Sequence, residues 1–306
     1  MKEIAESLAS LALGAPQVHL NLALYPLIAD GESSPAYVLL DDALAKNLAR
    51  VTEISGTGSV PELVFENSSA ERILLVDGDE LVGAKQNRVV NLSILVGAGK
   101  RIVIPVSCVE QGRWRYKSEM FTSSNSALFA KARASKMSQV SASLRTTGAR
   151  RSDQGAIWAA VAEKAETLGH ASETMAMSDL YAARTRDLGG YVSAFRPQPR
   201  QRGAVMAIDG KVVGLELFDS SAAFARYLEK FVRSYAMDAI ETSNGKPVPP
   251  AAEDVLRFIE SLKATAAERF AALGEGEDIR LSGERIEGGA LMADGHVVHL
   301  AGYAKQ

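Results

Sequence analysis

Between residues 49 and 116 nearly every segment reads as a short strand. Turn signals punctuate the run at Gly56-Thr57-Gly58, Asn67-Ser68-Ser69, Asp77-Gly78-Asp79 and Gly97-Ala98-Gly99-Lys100. Strands this closely spaced, joined by short turns, predict antiparallel pairing in a sandwich or barrel. The composition supports a packed core, with 47% apolar and 23% charged residues. A formal charge of −3, from 34 basic and 37 acidic residues, excludes a generic polyanion binder. The single cysteine, Cys108, allows no internal disulfide and points to a reducing compartment. No targeting signal is read at the start, and the apolar stretches are strand-sized. The expectation is a soluble, cytoplasmic protein.

Helical periodicity flanks the strand-rich run. Residues 1–13 predict a short amphipathic helix carrying Ile4, Leu8, Leu11 and Leu13, and residues 40–48 predict another. Residues 18–26 alternate as one strand, with Val18, Leu20, Leu22 and Leu24 on one face. Asp153 is placed to cap a helix with Ile157, Trp158, Val161, Ala165 and Leu168 on one stripe, and a second helix is expected near 178–188. Asp209-Gly210 turns a hairpin of 204–208 and 212–218. A helix over 221–238 carries Phe224, Leu228, Phe231 and Tyr235, and residues 246–250, with three prolines, form a linker. A helix over 251–263 then precedes strands near 266–272, 278–282, 286–293 and 296–303, the last pair turned at Asp294-Gly295.

The fold class is α+β. An antiparallel β-sandwich-like part leads into a helical connector and then a mixed helix and antiparallel-sheet part. The corresponding domains are a β-rich 1–116, a basic connector 117–152 and a helix-rich 153–306. The boundary near 150 is soft, because strands near both ends can share one sheet. The connector holds Lys131, Arg133, Lys136, Arg145, Arg150 and Arg151 with no acid between Glu119 and Asp153. It reads as a mobile, solvated segment or a phosphate-facing loop; only Phe129 lies near it, so it does not read as a nucleic-acid surface. Arg145 and Gln154 are its potential site contributors.

Familiar site motifs are missing. Gly99-Lys100 lacks the Ser or Thr of a phosphate loop, and position 94 is Ile. His296 and His299, three apart in a strand, face opposite sides and cannot easily share a metal. Asp77-Gly78-Asp79-Glu80 offers hard oxygen ligands but reads better as a solvated turn. No metal ligands are assigned, and the cofactor is unknown from the sequence.

The dense polar stretch is 76–88, followed by strands at 89–96 and 101–108. Taken as one hairpin with a loop at 96–100, these set Ile94 opposite Ile102, Leu92 opposite Ile104, Val90 opposite Val106 and Arg88 opposite Cys108, with Gln86 opposite Glu110. The apolar face thus runs into a polar cluster, where a pocket is expected. In a functional reading, Glu80 and Glu110 act as acid and base, with Cys108 as a potential nucleophile. Arg88 and Arg113 grip phosphate or carboxylate; Gln86, Asn87 and Asn91 orient a ribose or amide; Gln111 lies beside them and Trp114 stacks on a ring. The alternatives are a polar network that merely ends the sandwich, and a Cys108 that is a small core residue.

The motif Asp77-Gly78-x-Glu80-Leu81-x-Gly83-Ala84-x-Gln86-Asn87-Arg88, followed by Ile104-Pro105-Val106-Ser107-Cys108-Val109-Glu110-Gln111-Gly112-Arg113-Trp114, resembles the ARG and rhodanese-phosphatase superfamily associated protein domain, where ARG denotes ADP-ribosylglycohydrolase. The resemblance extends through Gly214-Leu215-Glu216-Leu217-Phe218 and Val298-His299-Leu300, so it covers most of the chain. It implies a link to NAD or ADP-ribose metabolism. It marks Glu80, Gln86, Asn87, Arg88, Cys108, Glu110, Gln111, Arg113 and Trp114 as functional, without assigning roles. The resulting expectation is a protein that binds or processes a nucleotide-derived metabolite, with hydrolysis by paired glutamates or a Cys108 step as its enzymatic form. A non-catalytic binding or scaffold module is the alternative. The expected partner is a small molecule, not nucleic acid or membrane; self-association is allowed but is read from no particular residue.

Overall fold

The computed structural model describes residues 2–31, 36–55, 59–242 and 249–305. The turn at 56–58 and most of the proline linker, 246–248, lie outside them. Contacts divide the chain into two compact units. Unit 1 comprises Met1–Pro35, Arg186–Ala272 and Gly276–Gln306, and unit 2 comprises Ala36–Thr185 with Leu273–Glu275. Unit 2 is therefore an insertion within unit 1, a nested division rather than the linear one at 116 and 152. No helix among the described residues is long and apolar enough to cross a membrane.

Unit 1 begins with α1 (Lys2–Ala9), β1 (Ala12–Leu13), β2 (Gln17–His19) and β3 (Leu22–Ile28). Unit 2 follows with β4 (Val38–Leu39), α2 (Leu40–Ala45), β5 (Ala49–Glu53), β6 (Glu62–Asn67), β7 (Ile73–Leu75), β8 (Asp79–Gly83), β9 (Arg88–Val90), β10 (Ile94–Val96), β11 (Arg101–Cys108) and β12 (Phe121–Ala127). Its helices are α3 (Ala130–Thr147), α4 (Gln154–Thr167) and α5 (Met177–Ala183). Unit 1 resumes through α6 (Thr185–Ala194), β13 (Gln201–Ile208), β14 (Lys211–Phe218), α7 (Ser221–Thr242) and α8 (Ala252–Ala264). It closes with β15 (Ala267–Ala271), β16 (Glu277–Ser282), β17 (Ile286–Ala293) and β18 (His296–Ala304). The class is α+β, with antiparallel pairing everywhere except between β4 and β7.

In unit 1 the sheet runs β1-β3-β13-β14-β18-β17-β16-β15, with β2 on β3. Both ends of the chain thus enter one sheet. Tyr25, Leu27, Val205, Leu215, Leu217 and Leu300 pack under α1 and α8 on one face. On the other face Phe218 meets Tyr227 and Phe231 of α7. The two Asp-Gly turns occur as predicted, with φ of 50° and 74° at Asp209 and Gly210 and 51° and 80° at Asp294 and Gly295. Such turns match the twist of the flanking strands.

The strand expected over 18–26 is instead a hairpin of β2 and β3, turned at Leu20-Asn21. Leu20 sits at φ 50° and, like Val18, is exposed. Asn21 overrides the local β-pattern: its side chain donates to Ala239 O at 2.9 Å and accepts from Tyr191 Oη at 3.0 Å. The helix expected near 178–188 is likewise two helices, α5 and α6.

Unit 2 holds a six-stranded sheet, β12-β8-β9-β11-β6-β5, and a three-stranded one, β10-β7-β4. They share one core: Val51, Phe65, Ile104, Val106 and Val90 from the first, Ile73, Leu75, Ile94 and Val96 from the second. The predicted hairpin is correct only at one end. Val90 lies opposite Val106 and Arg88 opposite Cys108. Ile94, however, pairs with Leu75, and Ile102 with Phe65, so the rows at Ile94 and Leu92 are not formed. The chain leaves β9 at Asn91–Ser93, where Ser93 Oγ accepts from Asp77 N at 3.0 Å, and β10 crosses to the smaller sheet.

The basic connector is not a solvated loop throughout. It forms β12 and then α3, whose Arg133 and Lys136 are fully buried. Lys136 Nζ bonds Asp77 Oδ1, Val90 O (3.0 Å) and Asn91 O (2.9 Å); Arg133 Nε lies 3.5 Å from Asp77 Oδ2. The turn at 77–79 is accordingly buried rather than solvated, with Gly78 at φ 86° beneath the Arg133 side chain. Asp153 caps α4 as expected, accepting from Ala156 N at 3.1 Å.

Candidate functional site

Directly paired residues on a ladder share a sheet face. Val90 and Val106 therefore face the core, and Arg88 and Cys108, two positions on, continue that face. On β5 the same face carries Val51 and Glu53, opposite Phe65 and Leu63. The apolar surface thus ends in Glu53, Cys108 and Arg88, contributed by three strands.

Arg88 is wholly buried. Its Nη1 donates to Gln86 Oε1 at 3.1 Å and Asn87 O at 3.4 Å. Nε and Nη2, the other edge of the guanidinium, meet no acceptor among the described residues. Glu53 Oε2 likewise meets no donor, while Oε1 accepts from Lys85 N at 3.4 Å. Burial pushes the Arg88 pKa down, and Cys108 and Glu53 pull it back up. Trp114 lies above, its ring centre 5.8 Å from the Arg88 guanidinium carbon. Lys85 Nζ lies 5.3 Å from the Trp114 ring centre and 5.1 Å from that of Tyr116, and both rings are about half exposed.

Glu110 is spoken for. Arg113 Nε donates to Oε1 at 2.8 Å and Nη2 to Oε2 at 2.6 Å, and Asn87 N adds 3.0 Å to Oε2. Burial works to raise this carboxyl, but Arg113 and the Asn87 amide outweigh it and hold it below the usual range. Arg113 Nη1 reaches back to Ala84 O at 2.7 Å, so the pair clasps the 83–87 loop. Gly83 makes this loop possible: at φ 134°, a Cβ there would meet Ser118 Oγ at 2.6 Å and Met120 O at 2.8 Å.

Cys108 Sγ donates to Gln86 Oε1 at 3.1 Å and Glu110 O at 3.3 Å. Burial pushes the thiol above its ordinary 9.0, against the pull of Arg88. A buried thiol donor is a poor nucleophile at neutral pH. A raised folded value contributes stability that is complete below about 9 and is lost as pH rises through the folded value. The stability gap between wild type and Cys108→Ala, read from urea midpoints under reductant, is expected to stay constant from pH 7 to 9 and narrow above that. A gap independent of pH to 11 would show that the thiol is not shifted.

The remaining expected residues are scattered. Gln86, Asn87, Arg113 and Trp114 join the cluster, and Gln111 is exposed. Glu80 pairs with Val89, so its side chain leaves the opposite sheet face from Arg88, and its Oε2 accepts from Ser124 Oγ at 2.6 Å. It is not brought to Glu110. Asn91 accepts from Ser107 Oγ at 2.6 Å and donates to Arg150 O at 3.0 Å, also away from Arg88. Gln154 serves the site through the backbone: its amide bonds Cys108 N and Cys108 O, both at 2.8 Å. Arg145 is exposed on α3. Sequence reasoning overlooked Glu53 and Lys85. A charged residue two positions after Val51, on a core-facing row, was the signal for Glu53.

Cavities elsewhere among the described residues of unit 2 include two of note. One of about 550 Å³ is lined by Asp41, Arg50, Met120, Ser123 and Ser124, the other, of about 250 Å³, by His170, Ser172 and Met175 among others. We place the candidate site at Arg88 because a covered cation with an unanswered donor edge needs a partner more than an open groove that solvent can reach does.

A family model for the ARG and Rhodanese-Phosphatase-superfamily-associated Protein domain matches residues 10–303. No curated protein and no solved structure matches the chain.

Proposed function

The chain belongs to the ARG and Rhodanese-Phosphatase-superfamily-associated Protein domain family, and from that premise we propose that unit 2 binds an anionic, nucleotide-derived metabolite of the ADP-ribose or NAD class at Arg88. One observation carries the reading: the Nε and Nη2 edge of a fully buried guanidinium has no acceptor among the described residues. That edge presents two parallel donors, the arrangement that chelates phosphate or carboxylate. Leaving it unmet in a dry site costs several kcal/mol by order of magnitude, so a ligand oxyanion is its natural complement. Lys85 adds charge, and the half-exposed Trp114 offers a stacking face. Arg88 is covered, so the ligand enters when the Trp114 segment moves aside.

The proposal is binding, without hydrolysis by paired glutamates. Glu110 is held ionised by Arg113, and Glu80 leaves the other sheet face. Titration calorimetry of the full chain with ADP-ribose, NAD and inorganic phosphate tests it. Wild type is expected to bind ADP-ribose, and Arg88→Lys, which keeps the charge but loses the paired donors, to bind at least about tenfold more weakly, the equivalent of about 1.4 kcal/mol. Absence of binding by wild type at millimolar ligand overturns the proposal. So does an Arg88→Lys variant that folds and binds equally well.

A further inference from the structure

We propose that Glu53 reads a hydrogen-bond donor on the ligand, so that the site selects an oxyanion carrying a neighbouring hydroxyl, the chemistry of a sugar phosphate, over a phosphate monoester without one. This rests on the reading of Arg88 as the oxyanion holder. Glu53 and Arg88 occupy one face of one sheet, at the polar end of the same core. They sense each other's charge, yet they make no hydrogen bond or ion pair among the described residues. Two unanswered donors on Arg88 therefore stand near one unanswered acceptor, Glu53 Oε2. Two charges that do not touch, each with capacity left over, form a complementary pair for a third group between them.

The donor count fixes the character of that group. Its anionic end must accept from Arg88, and its other end must donate to Glu53. The dianion of a simple phosphate monoester such as methyl phosphate has no donor to offer and meets repulsion from the Glu53 carboxylate. A planar base supplies a donor but no anion. The Arg88 charge separates a hydroxyl from an ammonium donor: an ammonium at Glu53 would be repelled by the guanidinium beside it, whereas a hydroxyl donates without a charge. Discrimination of this kind is steep, because a buried acceptor left unpaired is costly.

The experiment is calorimetry of the full chain with ribose 5-phosphate and methyl phosphate, on wild type and Glu53→Ala. Wild type is expected to prefer ribose 5-phosphate by tenfold or more, and Glu53→Ala to compress that ratio to below about threefold. Equal binding of the two ligands by wild type overturns the inference while leaving Arg88 as an oxyanion holder. A ratio unchanged in Glu53→Ala also overturns it, since the preference then comes from elsewhere. Binding of neither ligand, nor of ADP-ribose, removes the underlying reading as well. Because the comparison of two ligands on wild type stands alone, a variant that fails to fold does not protect the inference.

Discussion

Lys136→Met is expected to destabilise unit 2 by about 3–5 kcal/mol, the range for stranding one member of a buried ion pair. All three Nζ donors are committed, to Asp77, Val90 O and Asn91 O, and the side chain is fully buried. Methionine matches the stem but leaves the Asp77 carboxylate to Arg133, whose Nε is 3.5 Å away. The double variant Asp77→Asn with Lys136→Met should recover part of the loss, because the stranded charge is gone. Equilibrium urea denaturation of the three proteins measures both terms. A cost for Lys136→Met below about 1 kcal/mol, the scale of an exposed pair, would falsify the account of this cluster as a buried anchor.

Arg113→Met is expected to be comparably severe, at about 3–5 kcal/mol, and to reverse the pH response of Glu110. In wild type the carboxyl is held below its ordinary 4.5. Its contribution is therefore complete above about 4.5 and is lost as pH falls through the depressed folded value. Without Arg113, burial dominates and raises the carboxyl, so the variant carries its penalty at neutral pH and sheds it as the group takes up a proton. The stability gap between the two proteins should narrow as pH is lowered from 7 toward 4. Urea midpoints across that range provide the measurement, and a gap that widens on acidification would reverse the assignment. Adding Glu110→Gln to Arg113→Met should cost less than the single change, as expected for coupled partners.

What the chain discloses before folding depends on where each signal is stored. The turns at Asp209-Gly210 and Asp294-Gly295 are local, and both appear where they were expected. The pairing of Arg88 with Cys108 followed from period-two alternation on two neighbouring strands, and it holds. The same extrapolation failed at Ile94, because the exchange of partners at Asn91–Ser93 is fixed by the small sheet around β7. The Asp77 turn and the basic run at 131–136 looked like two solvated features, one acidic and one basic. Each is in fact buried by the other, and alternating hydropathy cannot register a core built from opposite charges. Leu20 was misread for a related reason: the bonds that hold Asn21 come from Tyr191 and Ala239, far along the chain. Within the candidate site the motif exposed most of the cluster, while Glu53, two turns of chain away from it, carried no motif of its own.

The nesting of unit 2 inside unit 1 has a consequence for biosynthesis. Ile28 on β3 finds its neighbour in Gln201 on β13, and the last strands of the same sheet end at Ala304. A ribosome therefore releases all of unit 2 up to Thr185 before β3 has any partner beyond the short β1 and β2 that precede it. A two-stranded hairpin alone is marginal in water. The opening thirty residues must wait, unsupported, while the inserted unit condenses. Once compact, that unit shortens the effective loop that the outer sheet has to close. The inner module thus serves as the assembly jig for the strands that enclose it in sequence.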